Sequence, residues 1–190
     1  LDQVKLTGFS PWEQNRQFEV TPLAQGEYNM NYLLRQGKNR WVLRVNLGTQ
    51  INRDDQITYE YSTLRLLEES GVTPRPYFLD DSKSFLAHGL LIMEYLPGGP
   101  LDYRTDLQQA ARLFARLHSV KIPAGQNHLI WEDHPLSGMY EECSRLAQVY
   151  LQSELADPVV CGYLTEVLAW AQEARRKESY YLSDPIYCVL

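Results

Sequence analysis

Leu90-Leu91-Ile92-Met93-Glu94-Tyr95-Leu96-Pro97-Gly98-Gly99-Pro100 is an apolar run that meets an acid and then four consecutive turn formers. Residues 90–93 are apolar at both parities. Neither face of the strand they predict can meet water, so it belongs inside a sheet. Pro97-Gly98-Gly99-Pro100 cannot extend that strand and marks a hinge or linker. The character of the chain changes at this point, from strand-like patterns before it to helical patterns after it.

Before the hinge, residues 18–23 and 31–36 read as two strands, and Gly37-Lys38-Asn39 as a turn. Trp41, Leu43, Val45 and Leu47 then alternate with Val42, Arg44 and Asn46, the two-residue period of a strand with unlike faces. Residues 52–55 are polar and can cap a helix, and Ile57, Tyr61, Leu64 and Leu67 or Glu68 follow at helical spacing. Gly71 ends that helix, and Pro74 and Pro76 stop any continuation. Leu79 marks a further strand, separated from the 90–95 run by a polar loop at residues 80–83. Beyond the hinge, Thr105 and Gln108 have capping-box spacing ahead of Leu107, Ala111, Phe114 and Leu117. A second helix is predicted over residues 138–152. Asp157-Pro158 opens a third, with Val160, Leu164, Val167 and Ala171 as its apolar stripe. Ser183-Asp184-Pro185 reads as a turn and residues 186–190 as a strand. The expected fold class is α+β: an antiparallel sheet with one helix in residues 1–96, a hinge at 97–100 and a helical part at 101–190.

The 190 residues suffice for one core or for two small lobes around a cleft. A 44% hydrophobic and 22% charged composition is that of an ordinary globular protein. The net charge of -6 argues against nucleic acid as a partner, because that needs a basic surface. An acidic cleft could instead attract a cationic small molecule. Cys143, Cys161 and Cys188 have no paired spacing, so neither a disulfide framework nor a zinc site is expected, and the setting expected is reducing and cytoplasmic. No apolar stretch reaches membrane-spanning length, and the first residues do not form a secretory signal.

Four segments in fixed order carry the functional reading: Leu23-Ala24-Gln25-Gly26-Glu27-Tyr28-Asn29, then Trp41-Val42-Leu43-Arg44-Val45, then Glu60 within the helix, then the 90–99 run. This order resembles the nucleotide-binding lobe of the aminoglycoside phosphotransferase and choline kinase family, relatives of the protein kinases. The resemblance implies a protein-kinase-like fold, ATP as donor and transfer of its γ-phosphate to a hydroxyl of a small molecule. It places Gly26 and Asn29 in the loop over the phosphates. Arg44 takes the third-strand position where the kinase V-A-I-K pattern has lysine, and Glu60 is the helix acid that pairs with that cation. Met93 would line the back of the adenine pocket, with the Glu94 carbonyl and the Leu96 amide at the adenine edge. Phosphoryl transfer asks the protein chiefly for positioning and positive charge. Arg is a permanent cation but longer and forked, so its presence departs from the family pattern. Taken singly, Gly26 is also a hairpin glycine, Arg44 an exposed strand residue and Glu60 a solvated helix acid.

The family's catalytic loop, H/N-x-D-x-x-x-x-N, and its later metal-binding Asp do not occur in these residues. The expectation is therefore that Leu190 is a truncation point, that no catalytic residue lies within the chain, that Mg2+ comes only with the missing C-terminal part, and that this chain alone does not turn over. The alternative is a non-catalytic kinase-like module that binds a nucleotide or a protein; an unrelated α+β interaction domain is a third reading. Glu132, Asp133, Glu141, Glu142, Glu154 and Asp157 lie where the resemblance puts the acceptor site. They would suit a cationic acceptor such as an aminoglycoside or choline, and read more simply as solvated helix faces. His118 reads as a packing residue. The terminal strand, whose hairpin partner is expected further along the chain, would permit self-association through its edge.

Overall fold

The computed structural model describes residues 9, 18–84, 86–123, 125, 127–177 and 186–188. Five strands form one antiparallel sheet: β1 (Glu19–Gln25), β2 (Asn29–Gln36), β3 (Asn39–Asn46), β4 (Pro76–Asp80) and β5 (Leu90–Glu94), in the spatial order β1-β2-β3-β5-β4. β5 lies between two neighbours, as its apolar character at both parities demands. Leu90 and Ile92 pack on one face with Leu34, Trp41, Leu43 and Phe9. Leu91 and Met93 pack on the other with Val42 and with Ile57 of α1 (Gln56–Leu67). Each aliphatic side chain so enclosed contributes about 1.5–3 kcal/mol of burial. The sheet is thus covered by α1 on one face, and Tyr61 and Leu64 pack there beside Ile57.

The hairpin between β2 and β3 sets the register that matters for the site. Gly37 has φ 60 at the first position of a two-residue turn, where glycine is favoured. Pairing then runs from Gln36↔Asn39 to Asn31↔Arg44 and Asn29↔Asn46. β1 is an edge strand and tolerates Pro22, which has no N–H to give a neighbour; its register with β2 shifts between Pro22 and Ala24. After α1, a short 3-10 turn (Glu68–Ser70) closes on Gly71 at φ 65, the left-handed stop expected from the sequence.

The chain divides into two compact units, at His128 and Leu129. The first holds the sheet, α1 and α2 (Leu107–His118). The capping box expected at Thr105 and Gln108 does not form. Asp106 is the residue before the helix, and no side chain caps it. The Thr105 hydroxyl donates instead to Asp106 Oδ1 at 2.9 Å, and Asp106 Oδ2 accepts from the Asp102 amide at 2.9 Å. The helix starts one residue later than the box requires, so Thr105 is not at the capping position.

The second unit holds β6 (Ile130–Glu132), α3 (Pro135–Leu151), α4 (Pro158–Lys177) and β7 (Ile186–Cys188). β6 pairs antiparallel with β7, Trp131 opposite Tyr187. One partner of the last strand thus precedes it in the chain, in a segment too short to show any period. α3 starts ahead of the expected residue 138 because Pro135 is pre-organised for a first helical turn. α4 starts where Asp157-Pro158 predicts. Asp157 Oδ1 accepts from the amides of Val159 at 2.8 Å and Val160 at 3.2 Å, a side-chain N-cap. Its sheltered stripe is Cys161, Leu164, Leu168 and Ala171, whereas Val160 and Val167 are exposed. The turn expected at 183–185 and residues 189–190 lie outside the described residues.

Candidate functional site

The sheet face beneath α1 has two ends of opposite character. One is apolar, with Leu33, Val42, Leu91 and Met93 buried. The other, toward the β1–β2 turn, is polar. The period of two puts Asn29 and Asn31 of β2 and Arg44 and Asn46 of β3 on this same face. Arg44 therefore points toward α1, as its parity against Trp41, Leu43 and Val45 predicts.

Arg44 is held at two points. Its Nε–H donates to Asn31 Oδ1 at 2.9 Å, and its Nη1 donates to Glu60 Oε1 of α1. The two side chains are 25% and 16% exposed, so this ion pair is sheltered. Burial pushes the Glu60 carboxyl above its ordinary pKa, and the charge and hydrogen bond of Arg44 offset only part of that shift. The pair can present a fixed cation from the sheet with its counter-charge on the helix.

The turn at residues 26–29 is tied to the end of β3. Gly26 N–H donates to Asn29 O at 2.8 Å, and Leu47 N–H to Tyr28 O at 2.8 Å. Asn46 Nδ2 donates to Gly48 O at 2.8 Å and to Asn29 Oδ1 at 3.1 Å. A Cβ added at Gly26 would meet nothing nearer than Asn29 O at 3.8 Å. The turn itself therefore does not require glycine there.

The remaining expected residues lie at the far end of β5. Met93 is buried under α1. Glu94 is opposite Trp41, three residues along β3 from Arg44, or about 10 Å. Its amide donates to Arg75 O at 2.8 Å, and its carboxylate accepts from the Arg75 amide at 3.2 Å. Leu96 is 53% exposed. Arg44 and Glu60 are thus in contact, Gly26 and Asn29 share the turn beside them, and Met93, Glu94 and Leu96 stand apart along the same sheet.

Asn31 and Asn46 were not singled out from the sequence, although a signal for both exists. A two-residue turn at Gly37-Lys38 fixes the pairing by counting back from it, and places both asparagines against the neighbouring strand's polar positions. Three of the acidic residues of the second unit are engaged locally. Asp157 caps α4, Glu142 binds Arg145 at 2.6 Å, and Asp133 accepts from Trp131 Nε1 at 2.7 Å. Among the described residues no three His, Cys, Asp or Glu side chains gather as metal ligands, and no helix is long and apolar enough to cross a membrane.

Residues 19–184 match the model of the phosphotransferase enzyme family. No curated protein matches the sequence significantly. Among solved structures, the chain is similar to a candidate aminoglycoside phosphotransferase from Ralstonia eutropha JMP134, at 14% identity and a TM-score of 0.40, with 90% of this chain and 45% of that one covered. It is also similar to spectinomycin phosphotransferase APH(9)-Ia in complex with ADP and spectinomycin, at 16% identity and a TM-score of 0.44, with 84% and 49% covered. The chain therefore spans about half the length of the solved structures it matches. The family match covers most of the sequence and includes every segment of the polar face and its helix: the chain belongs to the phosphotransferase enzyme family.

Proposed function

We propose that this chain carries the nucleotide-binding part of an ATP-dependent phosphotransferase that moves the γ-phosphate of ATP to a hydroxyl of a small molecule. The observation that carries the reading is the doubly held Arg44, with Asn31 at its Nε and Glu60 at its Nη1, on the sheltered face beneath α1. A fixed cation there stabilises phosphate charge without reorganising when the nucleotide arrives. The turn at Gly26 to Asn29 would lie over the phosphates. Glycine at position 26, unneeded by the turn itself, would let the backbone approach them closely. Met93 would back the adenine, with the Glu94 carbonyl and Leu96 amide at its edge.

In this arrangement residues 1–96 are the nucleotide lobe, 97–100 the hinge and 101–190 part of the acceptor lobe. During transfer, the acceptor oxygen bonds to the γ-phosphorus as the bond to the bridging oxygen breaks. ADP leaves, and the hydroxyl proton passes to a general base. A magnesium ion would arrive with the nucleotide, bound through its phosphates. ATP as donor fits a cytoplasmic setting.

Calorimetric titration with ATP and ADP tests this. Arg44→Ala should weaken either nucleotide about tenfold or more, the worth of hydrogen bonds to a charged group. Equal affinity in the variant would remove Arg44 from the site. A folded wild-type chain that binds neither nucleotide would leave an α+β interaction domain as the better reading.

A further inference from the structure

We propose that Asn31 is a positioning residue for Arg44, and that this pairing is what makes arginine rather than lysine the working cation on β3. The inference rests on the nucleotide-site reading above. The two residues are direct strand partners, and Asn31 Oδ1 accepts from Arg44 Nε at 2.9 Å. In lysine the side-chain atom at the place of Nε is a methylene, which donates nothing. Asn31 therefore holds an arginine at this point and leaves its terminal nitrogens free, whereas a lysine could bond Asn31 only by using its one ammonium.

The residue type at 31 supports the same conclusion. Asparagine is depleted in strands, and this one is half-buried within β2. A sheltered amide oxygen needs a donor, and the Nε–H supplies it. The contact also has a directional consequence. With Nε on Asn31 and Nη1 on Glu60, rotation about the last side-chain bonds is blocked from both the sheet and the helix. Nη2 makes no hydrogen bond to the described residues and is the nitrogen left for a phosphate oxygen. Glu60 alone would hold the guanidinium at one nitrogen and leave it free to pivot.

The test uses the chain with Asn31→Leu, Asn31→Asp, Arg44→Lys and the Asn31→Leu/Arg44→Lys pair. Titration with ATP and ADP should show Asn31→Leu weakened about tenfold. Asn31→Asp, which keeps an acceptor oxygen in place but adds a negative charge beside the phosphates, should keep the Nε–H contact while itself weakening both nucleotides. Arg44→Lys should cost much less in the Asn31→Leu background than in the wild type, because the contact it destroys is already gone. A second readout is the Arg44 Nε–H resonance in 15N-correlated NMR spectra. It should be slow to exchange in the wild type and in Asn31→Asp, and exchange rapidly in Asn31→Leu.

Unchanged affinity in Asn31→Leu, or fully additive costs in the pair, would overturn the proposal. If the wild type binds neither nucleotide, the site reading falls and takes the functional role of Asn31 with it. The Nε–H exchange rate then decides separately whether Asn31 holds Arg44 at all.

Discussion

Gly89→Ala tests the packing that places α1 over the sheet. Gly89 directly precedes β5, and its carbonyl accepts from Asn46 N–H at 3.0 Å. Its φ is outside the left-handed region, so alanine there is opposed by space and not by backbone conformation. A Cβ would stand 2.4 Å from Ile57 Cγ2, 3.3 Å from Ile57 Cβ and 2.8 Å from Asp81 Oδ1. The first contact is about 1 Å shorter than a good carbon–carbon separation. Ile57 is 1% exposed and lies in the first turn of α1, so it has no room to swing aside. Either Ile57 leaves its preferred rotamer or the start of the helix lifts, an overpacking cost of about 1–3 kcal/mol. At a urea dependence of about 2 kcal/mol per molar, a loss of about 2 kcal/mol lowers the unfolding midpoint by about 1 M. The cause can be isolated with Ile57→Ala, which removes Cγ2 and alone costs about 2–5 kcal/mol. If the collision is responsible, the double variant is clearly more stable than the sum of the two losses implies. Additive losses would refute the reasoning. Glu60 lies one turn along the same helix, so Gly89→Ala should also weaken nucleotide binding, and the second substitution should not simply double that loss.

Glu60 gives a pH dependence whose sign follows from its raised pKa. The folded state binds the carboxyl proton more tightly than the unfolded chain does. Stability therefore falls as pH climbs from the ordinary value of 4.5 through the folded value, and is level above it. Glu60→Gln keeps an acceptor for Arg44 and removes the titration, so urea unfolding across pH 4.5 to 8 should show the wild type losing ground to the variant as pH rises. The opposite trend would mean that pairing with Arg44 outweighs burial. In the second unit, Asp157→Ala removes the cap from two amides of α4 and should cost about 0.5–2 kcal/mol, against a near-neutral Asp157→Asn; equal losses in the two variants would count against a capping role.

Much of the first unit is legible because its signals are local. The double-faced apolar run at 90–93 requires an interior strand, the alternation at 41–47 turns Arg44 away from Trp41 and Leu43, and Gly71 stops a helix where a left-handed residue is needed. The caps show where local reading fails. Thr105 and Gln108 have the right spacing for a box, but the helix begins after Asp106, one residue later than the box requires. The stripe of α4 shows the same limit. Two adjacent apolar residues, Val160 and Cys161, compete for one inward position, and the surroundings choose between them.

The sequence by itself determined the α+β class, the strand that must be buried on both faces, the face on which Arg44 lies and the family to which the order of segments points. Only the tertiary structure decided which groups hold Arg44, that Asn46 ties down the turn at 26–29, and that β7 pairs back to β6. The physical reason is range. Periodicity and capping act over one or two turns of chain, whereas Arg44 meets Glu60 across the packing of a helix on a sheet. A three-residue strand such as Ile130–Glu132 has no periodic signal at all, and it exists because its backbone donors and acceptors find partners more than fifty residues away.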